Sequence, residues 1–381
     1  MRDLLLDRTP KDFDIATSAR PSEVKTLFRN CRIVGRRFRL AHVLFGANKV
    51  VEVATFRRDP SSLGADGSDE WEERTGAEDL LIRQDNVFGE PHEDAVRRDF
   101  TINALFYDLE QQQIVDYVGG LAEIERRVIR TIGEPDVRFR EDPVRILRAI
   151  KFAARLDLAI EPDVYDAMVA HREDLLRSAR PRLLEELLRL LRGGAAHRSC
   201  WLAWETGTLA VLLPELSSYL DDDAEGTRLL WKRLSAIDAA VANGHVPPDA
   251  VLLAALLLEP VEEAIQHERD VALAAGQYLA SMAPRLALPR RLIDRARHVI
   301  AIQRRLRAGR VGNLARRDSF ADAALLFSLD APGRGIPPSH VEAVQQHRDV
   351  STTPRRASQR PRAGQPATEE RQQTLDFKPL I

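Results

Sequence analysis

Two aspartates stand two residues apart in Thr9-Pro10-Lys11-Asp12-Phe13-Asp14-Ile15, and an extended backbone turns side chains at that spacing to one face. Negative charges so close repel unless a cation lies between them. A pair of hard divalent ions, Mg²⁺ foremost, suits them, because such ions take oxygen ligands and complete their shells with substrate phosphates. The competing reading is a turn whose aspartates face solvent, and D-x-D alone does not separate the two. Glu52 alternates with Val51 and Val53, so its side chain leaves their shared face and either joins Asp12 and Asp14 as a third carboxylate or stands exposed on an edge strand. Residues 94–105 are expected to form a helix with Arg97, Arg98 and Asp99 toward phosphate and Phe100, Ala104 and Leu105 packed inward. Further on, Arg145, Arg148, Lys151 and Arg155 recur at three- to four-residue spacing, a basic face beside an apolar stripe of Ile146, Leu147, Ile150 and Ala154. That face is either solvated or, beside a carboxylate site, holds a triphosphate or reads a base edge, since a guanidinium offers several donors in a fixed fork.

The elements that must position these groups divide the chain. Residues 21–28 form a short helix, with Val24, Leu27 and Phe28 on one face leaning on a sheet. Runs 37–45 and 50–56 are strands joined by Gly46-Ala47-Asn48-Lys49, a hairpin composition. Residues 57–79 turn polar and acidic, as a mobile loop does. A short strand ends in Gly119-Gly120, a helix follows over 121–127, and another opens at Pro143 with Asp142 as its cap. Beyond residue 156 strand signals vanish, and helical patterns recur at 181–191, 228–242, 250–258 and 290–307 without a fixed-period repeat. The stretch 285–317 is densely basic, including Arg290, Arg291, Arg295, Arg304 and Arg305. It is either a polyanion-binding surface or a solvated helix. Residues 351–381, rich in Pro, Arg, Gln and Thr, are expected to be disordered.

Composition bounds the rest. A chain of 381 residues with 44% hydrophobic content fits two or three ordinary domains. No apolar run is long enough to span a bilayer, and the start Met1-Arg2-Asp3-Leu4 lacks a signal-peptide pattern, so the expected location is the cytoplasm. Cys31 and Cys200 are too few for a disulfide framework or a structural zinc site and are expected as buried thiols. With a net charge of −2, attraction to nucleic acid must come from uneven charge placement.

The motifs Arg2-Asp3-Leu4-Leu5-Leu6, Lys11-Asp12-Phe13-Asp14, Val51-Glu52-Val53-Ala54-Thr55-Phe56-Arg57, Arg97-Arg98-Asp99-Phe100-Thr101-Ile102-Asn103, Asp116-Tyr117-Val118-Gly119-Gly120 and Glu141-Asp142-Pro143-Val144-Arg145 together resemble the class II branch of the DNA polymerase β-like nucleotidyltransferases. That branch contains tRNA CCA-adding enzymes and bacterial poly(A) polymerases. Val34-Gly35-Arg36-Arg37-Phe38-Arg39-Leu40-Ala41-His42-Val43 resembles the stretch typical of the poly(A) polymerases.

The resemblance implies an α+β fold, with a nucleotidyltransferase head over residues 1–135 carrying a small mixed or antiparallel sheet and flanking helices. An all-α remainder follows, comprising a nucleotide- and RNA-binding neck over 136–200, an RNA-binding body over 201–345 and a tail over 346–381. It implies AMP transfer from ATP to RNA 3′ ends without a template, with release of pyrophosphate. Asp12 and Asp14 would hold two Mg²⁺ ions and Glu52 would stand beside them. Asp99 matches a position treated as catalytic, although a helical placement suggests a supporting role. Arg97 or Arg98 would contact phosphate, Arg2 lies in a nucleotide-binding motif, Asp142 and Arg145 match a base-reading pair, and Arg148 follows one turn later. Candidate partner proteins are RNA-decay or RNA-chaperone proteins, and Gln372-Gln373-Thr374-Leu375-Asp376-Phe377 looks like a sliding-clamp docking peptide. The family places Gly-Gly and a valine before Arg-Asp, where this chain has Met1. The expectation is an upstream strand and glycine pair lost through a GTG codon read as the start. The alternatives are a CCA-adding enzyme and a truncated, inactive RNA-binding homologue.

Overall fold

The computed structural model describes residues 1–10, 12–35, 39–46, 49–58, 87–222 and 224–352. Lys11, the Arg37-Phe38 start of one expected strand, the hairpin residues Ala47 and Asn48, most of the expected polar loop, and residues 353–381 of the tail with the 372–377 peptide lie outside the described residues, while residues 346–352, expected in the disordered tail, are helical.

After α1 (Arg2–Leu5), the chain forms β1 (Asp14–Thr17), α2 (Pro21–Leu27), β2 (Cys31–Val34), β3 (Leu40–Phe45) and β4 (Lys49–Thr55). These strands make one sheet in the order β1-β4-β3-β2, with β1 parallel to β4 and the other pairs antiparallel. The sheet is mixed. The strand β2 has no counterpart in the sequence reading, because four residues between Asn30 and Gly35 are too few to display an alternating pattern. Pro21 starts α2, and the Glu23 carboxylate accepts the Arg20 N–H at 2.7 Å, which closes the first turn. On the inner face Val24 packs with Cys31, Ala41, Val43 and Val53. Leu27 and Phe28 do not lean on the sheet as expected: they are 75% and 43% exposed. The helix is two turns long over a narrow apolar strip, and the chain turns extended at Phe28.

The expected helix over 94–105 is broken into pieces. Here α3 (Pro91–Val96) stops early, Phe100 is extended and bridges Thr131, Thr101–Asn103 make one 3₁₀ turn, and β5 (Leu105–Asp108) pairs with β6 (Gln113–Asp116). Polar side chains supply the reason. Arg138 Nη2 donates to the carbonyls of Arg97 and Arg98, and the Asp99 carboxylate accepts the Phe100 N–H at 2.9 Å. Backbone groups that a continuing helix would pair internally are thus satisfied elsewhere. At the turn into α4 (Gly120–Glu125), the Asp116 carboxylate accepts four backbone N–H groups, from Val118 to Leu121. A Cβ at Gly120 would meet the Thr101 carbonyl at 2.3 Å, so only glycine fits.

After β7 (Val128–Ile129) come α5 (Pro135–Glu141) and α6 (Val144–Leu156), then β8 (Ala159–Ile160), whose pairing with β7 is the one strand contact past residue 156 among the described residues. Asp142 does not cap α6 with its side chain, which turns instead to Arg182. The remainder is helical: α7 (Pro162–His171), α8 (Arg180–Arg192), α9 (Ala196–Glu205), α10 (Thr208–Leu212), α11 (Pro214–Asp222), α12 (Ala224–Ala242), α13 (Asp249–Ala264), α14 (Val271–Ser281), α15 (Ala283–Leu286), α16 (Arg290–Arg307), α17 (Phe320–Asp330) and α18 (Pro338–Thr352). A single apolar cluster runs from Phe100 to Val344, with the α6 stripe inside it and α13 buried on every side from Ala250 to Val261. Cys31 and Cys200 are free and buried. Among the described residues no helix is long and apolar enough to cross a membrane.

Candidate active site

Strand register assembles the first part of the site. Parallel pairing sets Asp14 opposite Glu52, and the antiparallel pairs set Glu52 opposite His42 and His42 opposite Arg32. Directly paired residues share a face. The row Asp14, Glu52, His42, Arg32 therefore crosses the side of the sheet away from α2, and His42 Nε2 lies 3.4 Å from Glu52 Oε1. Asp12 precedes β1 and is exposed. Burial and then the charge of Asp12 push the Asp14 carboxyl up, while the Arg98 guanidinium pulls it back. Such a repelling pair gains from a cation, and its donors are all oxygen, the chemistry Mg²⁺ prefers. Among the described residues no three acidic, imidazole or thiol side chains enclose a metal position by themselves. Water and phosphate oxygens must complete any shell there.

The second part rests on Asp94, which the sequence reading did not single out. It is buried, and each of its oxygens takes one guanidinium: Oδ1 accepts Arg97 Nε at 3.0 Å and Nη2 at 2.7 Å, together with the Arg57 backbone N–H at 3.2 Å, and Oδ2 accepts Arg98 Nε at 3.1 Å and Nη2 at 2.9 Å. The signal was available, since positions three and four residues apart on a helix are neighbours. Arg98 is further held by its bond to the Asn103 carbonyl at 2.7 Å and by the Phe106 ring, 4.7 Å from its guanidinium carbon. Both arginines are thus fixed in orientation, and Arg98 is the one whose charge reaches Asp14.

A third part joins the start of the chain to α6. Asp99 Oδ1 accepts the Phe100 N–H and Asn103 Nδ2, both at 2.9 Å, and Oδ2 accepts Arg148 Nε at 2.6 Å. Burial would raise its carboxyl, but Arg148 and Asn103 hold it below the usual aspartate range. Asp99 sits in a bend, not on a helix. Its oxygens are committed to orienting neighbours. Asn103, also not singled out, accepts a bond from Arg2 Nη1 while donating to Asp99. Arg2 in turn grips Asp3 through Nε at 2.8 Å and Nη2 at 2.6 Å, and Arg155 reaches the other Asp3 oxygen at 3.0 Å.

The expected base-reading pair is engaged within the protein. Asp142 accepts Arg182 on both oxygens, at 2.8 and 2.6 Å. Arg145 is buried and donates to the Arg138 carbonyl at 2.9 Å and to Glu141 at 2.8 Å. Lys151 meets Glu186 at 2.8 Å. The basic face of α6 is therefore not a solvated one. On α16, Arg290, Arg291, Arg304 and Arg305 are exposed, Arg304 donating to the Glu262 carbonyl at 2.8 Å, and Arg295 pairs with Asp322 at 2.6 Å.

Comparison with known proteins places this geometry. Residues 1–130 match the family model "Poly A polymerase head domain", and residues 157–220 match "Probable RNA and SrmB- binding site of polymerase A". Poly(A) polymerase I of Escherichia coli O6:H1 is 36% identical over 97% of this chain and 85% of its own length. A CCA-adding enzyme of Geobacillus stearothermophilus is 37% identical over 56% of this chain and 48% of its own. Among solved structures, a Bacillus stearothermophilus CCA-adding enzyme in complex with CTP covers 92% of this chain and 76% of its own at 28% identity, with a TM-score of 0.64. Its α+β fold and a poly(A) polymerase relative matched along nearly its whole length make this chain a nucleotidyltransferase belonging to the poly(A) polymerase family.

Proposed function

We propose that this protein adds AMP from ATP to the 3′ hydroxyl of RNA, without a template and with release of pyrophosphate, in RNA 3′-end processing and turnover. The observation that carries the reading is the pairing of Asp14 with Glu52 across β1 and β4, beside a fixed Arg98. Support for adenylate over cytidylate comes from extent of similarity, since the poly(A) polymerase I relative spans 97% of the chain and the CCA-adding relative 56%.

Asp12 and Asp14 are the residues that would hold Mg²⁺, which when bound makes the RNA 3′ oxygen a better nucleophile and offsets charge on the triphosphate. Glu52 adds a third carboxylate on the same face, held at its side by His42. Arg98, oriented by Asp94 and Asn103, faces phosphate with the guanidinium N–H groups beyond those it uses internally. Arg148 is aimed by Asp99, and with Arg2 it lines the junction of head and neck where the nucleotide lies. Asp142, set by Arg182, and Arg145 flank the base, while Arg290, Arg291, Arg295, Arg304 and Arg305 serve the RNA. The first matched model, 1–130, supports a head over 1–135, whereas the second, 157–220, straddles the neck over 136–200 and the start of the body, and the SrmB in its name supports a protein partner on 157–220. The location that goes with this reading is the cytoplasm, where RNA and ATP are both present.

The test is incorporation of each labelled nucleoside triphosphate, with Mg²⁺, onto an oligoadenylate and onto a tRNA lacking its CCA end. AMP addition alone is expected. CMP addition to the tRNA would replace this reading with a CCA-adding one, and RNA binding without any transfer would leave an RNA-binding module.

A further inference from the structure

The arginine-rich run does not present one surface, because tertiary contacts divide it. Arg285 is spent on Glu215 and the Leu212 carbonyl, Arg297 on Asp294, and Arg307 on Glu262. Arg291, Arg316 and Arg317 instead gather, beside Arg295 with its Asp322 partner at 2.6 Å and His298, around one open cavity of about 850 Å³ between the first half of α16 and the 3₁₀ turn Gly312–Arg316. Of the four guanidiniums there, Arg295 is held by Asp322, and of the two lining carboxylates, Asp294 is already paired with Arg297 at 3.1 Å, which leaves Arg291, Arg316 and Arg317 facing Asp318. Arg291, Arg316 and Arg317 are exposed.

A second cavity, of about 470 Å³, adjoins the first and shares Arg291 and Arg295 with it. Its walls are apolar: Leu184 and Leu188 of α8, Ala250 of α13, and Pro289 and Leu292 at the start of α16. Its two acids are occupied, since Glu185 accepts Arg189 at 2.9 Å and Asp249 accepts Arg192 at 2.8 Å. An apolar slot beside a basic basin, joined by two guanidiniums, matches a nucleotide unit: the base enters the slot and stacks on an arginine plane, and the phosphates lie in the basin. A volume of this order suits such a ligand.

We propose that these paired cavities form an anchoring site for single-stranded RNA, separate from the residues of the reaction, which takes a nucleotide of the strand upstream of its growing end. The inference rests on the adenylate-transfer reading for its choice of ligand. One wall, Leu184 and Leu188, falls in the segment matched to an RNA-binding model, whereas α16 and the 3₁₀ turn lie beyond it. The site extends that surface.

The test uses the whole protein carrying Arg316→Glu and Arg317→Glu together, both exposed positions, with Arg316→Ala alone as a second variant. Binding of a long single-stranded RNA, measured without ATP, should weaken about tenfold, and the salt dependence of binding should flatten by about 0.7 per lost phosphate contact. In transfer assays KM for the long RNA should rise by the same factor at unchanged kcat, while a trinucleotide primer too short to reach the cavities keeps both constants. Wild-type affinity for the long RNA in both variants would overturn the site, and so would an equal loss with the trinucleotide. Because binding is read without ATP, a wild type that binds and transfers nothing sinks the adenylate-transfer reading and leaves this one standing.

Discussion

Two helices of this molecule read alike in sequence and behave differently in the fold. Both α6 and α16 carry arginines at three- and four-residue spacing beside an apolar stripe. On α6 each cation meets a carboxylate from another element: Arg145 meets Glu141, Arg148 meets Asp99, Lys151 meets Glu186 and Arg155 meets Asp3. On α16 only Arg295, Arg297 and Arg307 have ion-pair partners among the described residues, while Arg290, Arg291 and Arg305 stand exposed. Charges of the first kind set geometry, since a buried ion pair contributes direction more than net stability. Those of the second kind stay open to solvent, where a positive charge is available to a polyanion at little structural cost.

The comparison can be sharpened by variants, beginning outside both helices. Asp14→Ala should cut AMP transfer at least about a thousandfold. Its melting temperature should hold or rise slightly, because Asp14 is a carboxylate whose strongest electrostatic neighbour is the repelling Asp12. A large loss of stability would show that the pair is structural.

Arg148→Ala should destabilise the fold by about 3 kcal/mol in urea titrations, since it leaves the buried Asp99 without its counter-charge. The pH dependence follows from sign. In wild type the Asp99 carboxyl is held below its ordinary range, so its contribution is complete at neutral pH and drains away only as pH falls below about 4. In the variant, burial dominates and pushes that carboxyl up, so protonation relieves the strain. The gap between the two proteins should narrow on going from about pH 7 to about pH 4. A gap independent of pH would break the assignment of Arg148 as partner to a charged Asp99.

His42→Ala removes the neighbour that steadies Glu52 on the open sheet face. A fall of about tenfold in kcat, with RNA affinity unchanged and part of the rate restored by His42→Asn, is the mark of a positioning residue. Unchanged kcat would make the contact incidental. The smallest effects belong to α16, where Arg290→Ala and Arg305→Ala should each change stability by less than about 0.5 kcal/mol. A shift comparable to that of Arg148→Ala would erase the distinction between the two helices.

Motif spacing singled out most of the residues that make up the candidate site. Asp14, Glu52, Arg98, Asp99 and Arg148 all stand where one region can use them, and the parallel pairing of β1 with β4 gives the two carboxylates a common face. The local structure around Asp99 was not legible, because the helix that periodicity suggests is ended by Arg138, whose guanidinium arrives from forty residues along the chain to take the carbonyls of Arg97 and Arg98. The same holds for Asp142, read as a helix cap and found clamped by Arg182.

What the chain's order of residues determined by itself was the alternation that makes β3 and β4 strands, the apolar stripes that make the long helices, and the family pattern of acidic and basic motifs. Those are short-range properties, written in neighbours along the backbone. Only the folded molecule decided which carboxylate each cation meets, because that choice depends on groups distant in sequence competing for the same few donors. Similar basic spacings thereby became a rigid frame at α6 and a largely exposed set of charges at α16.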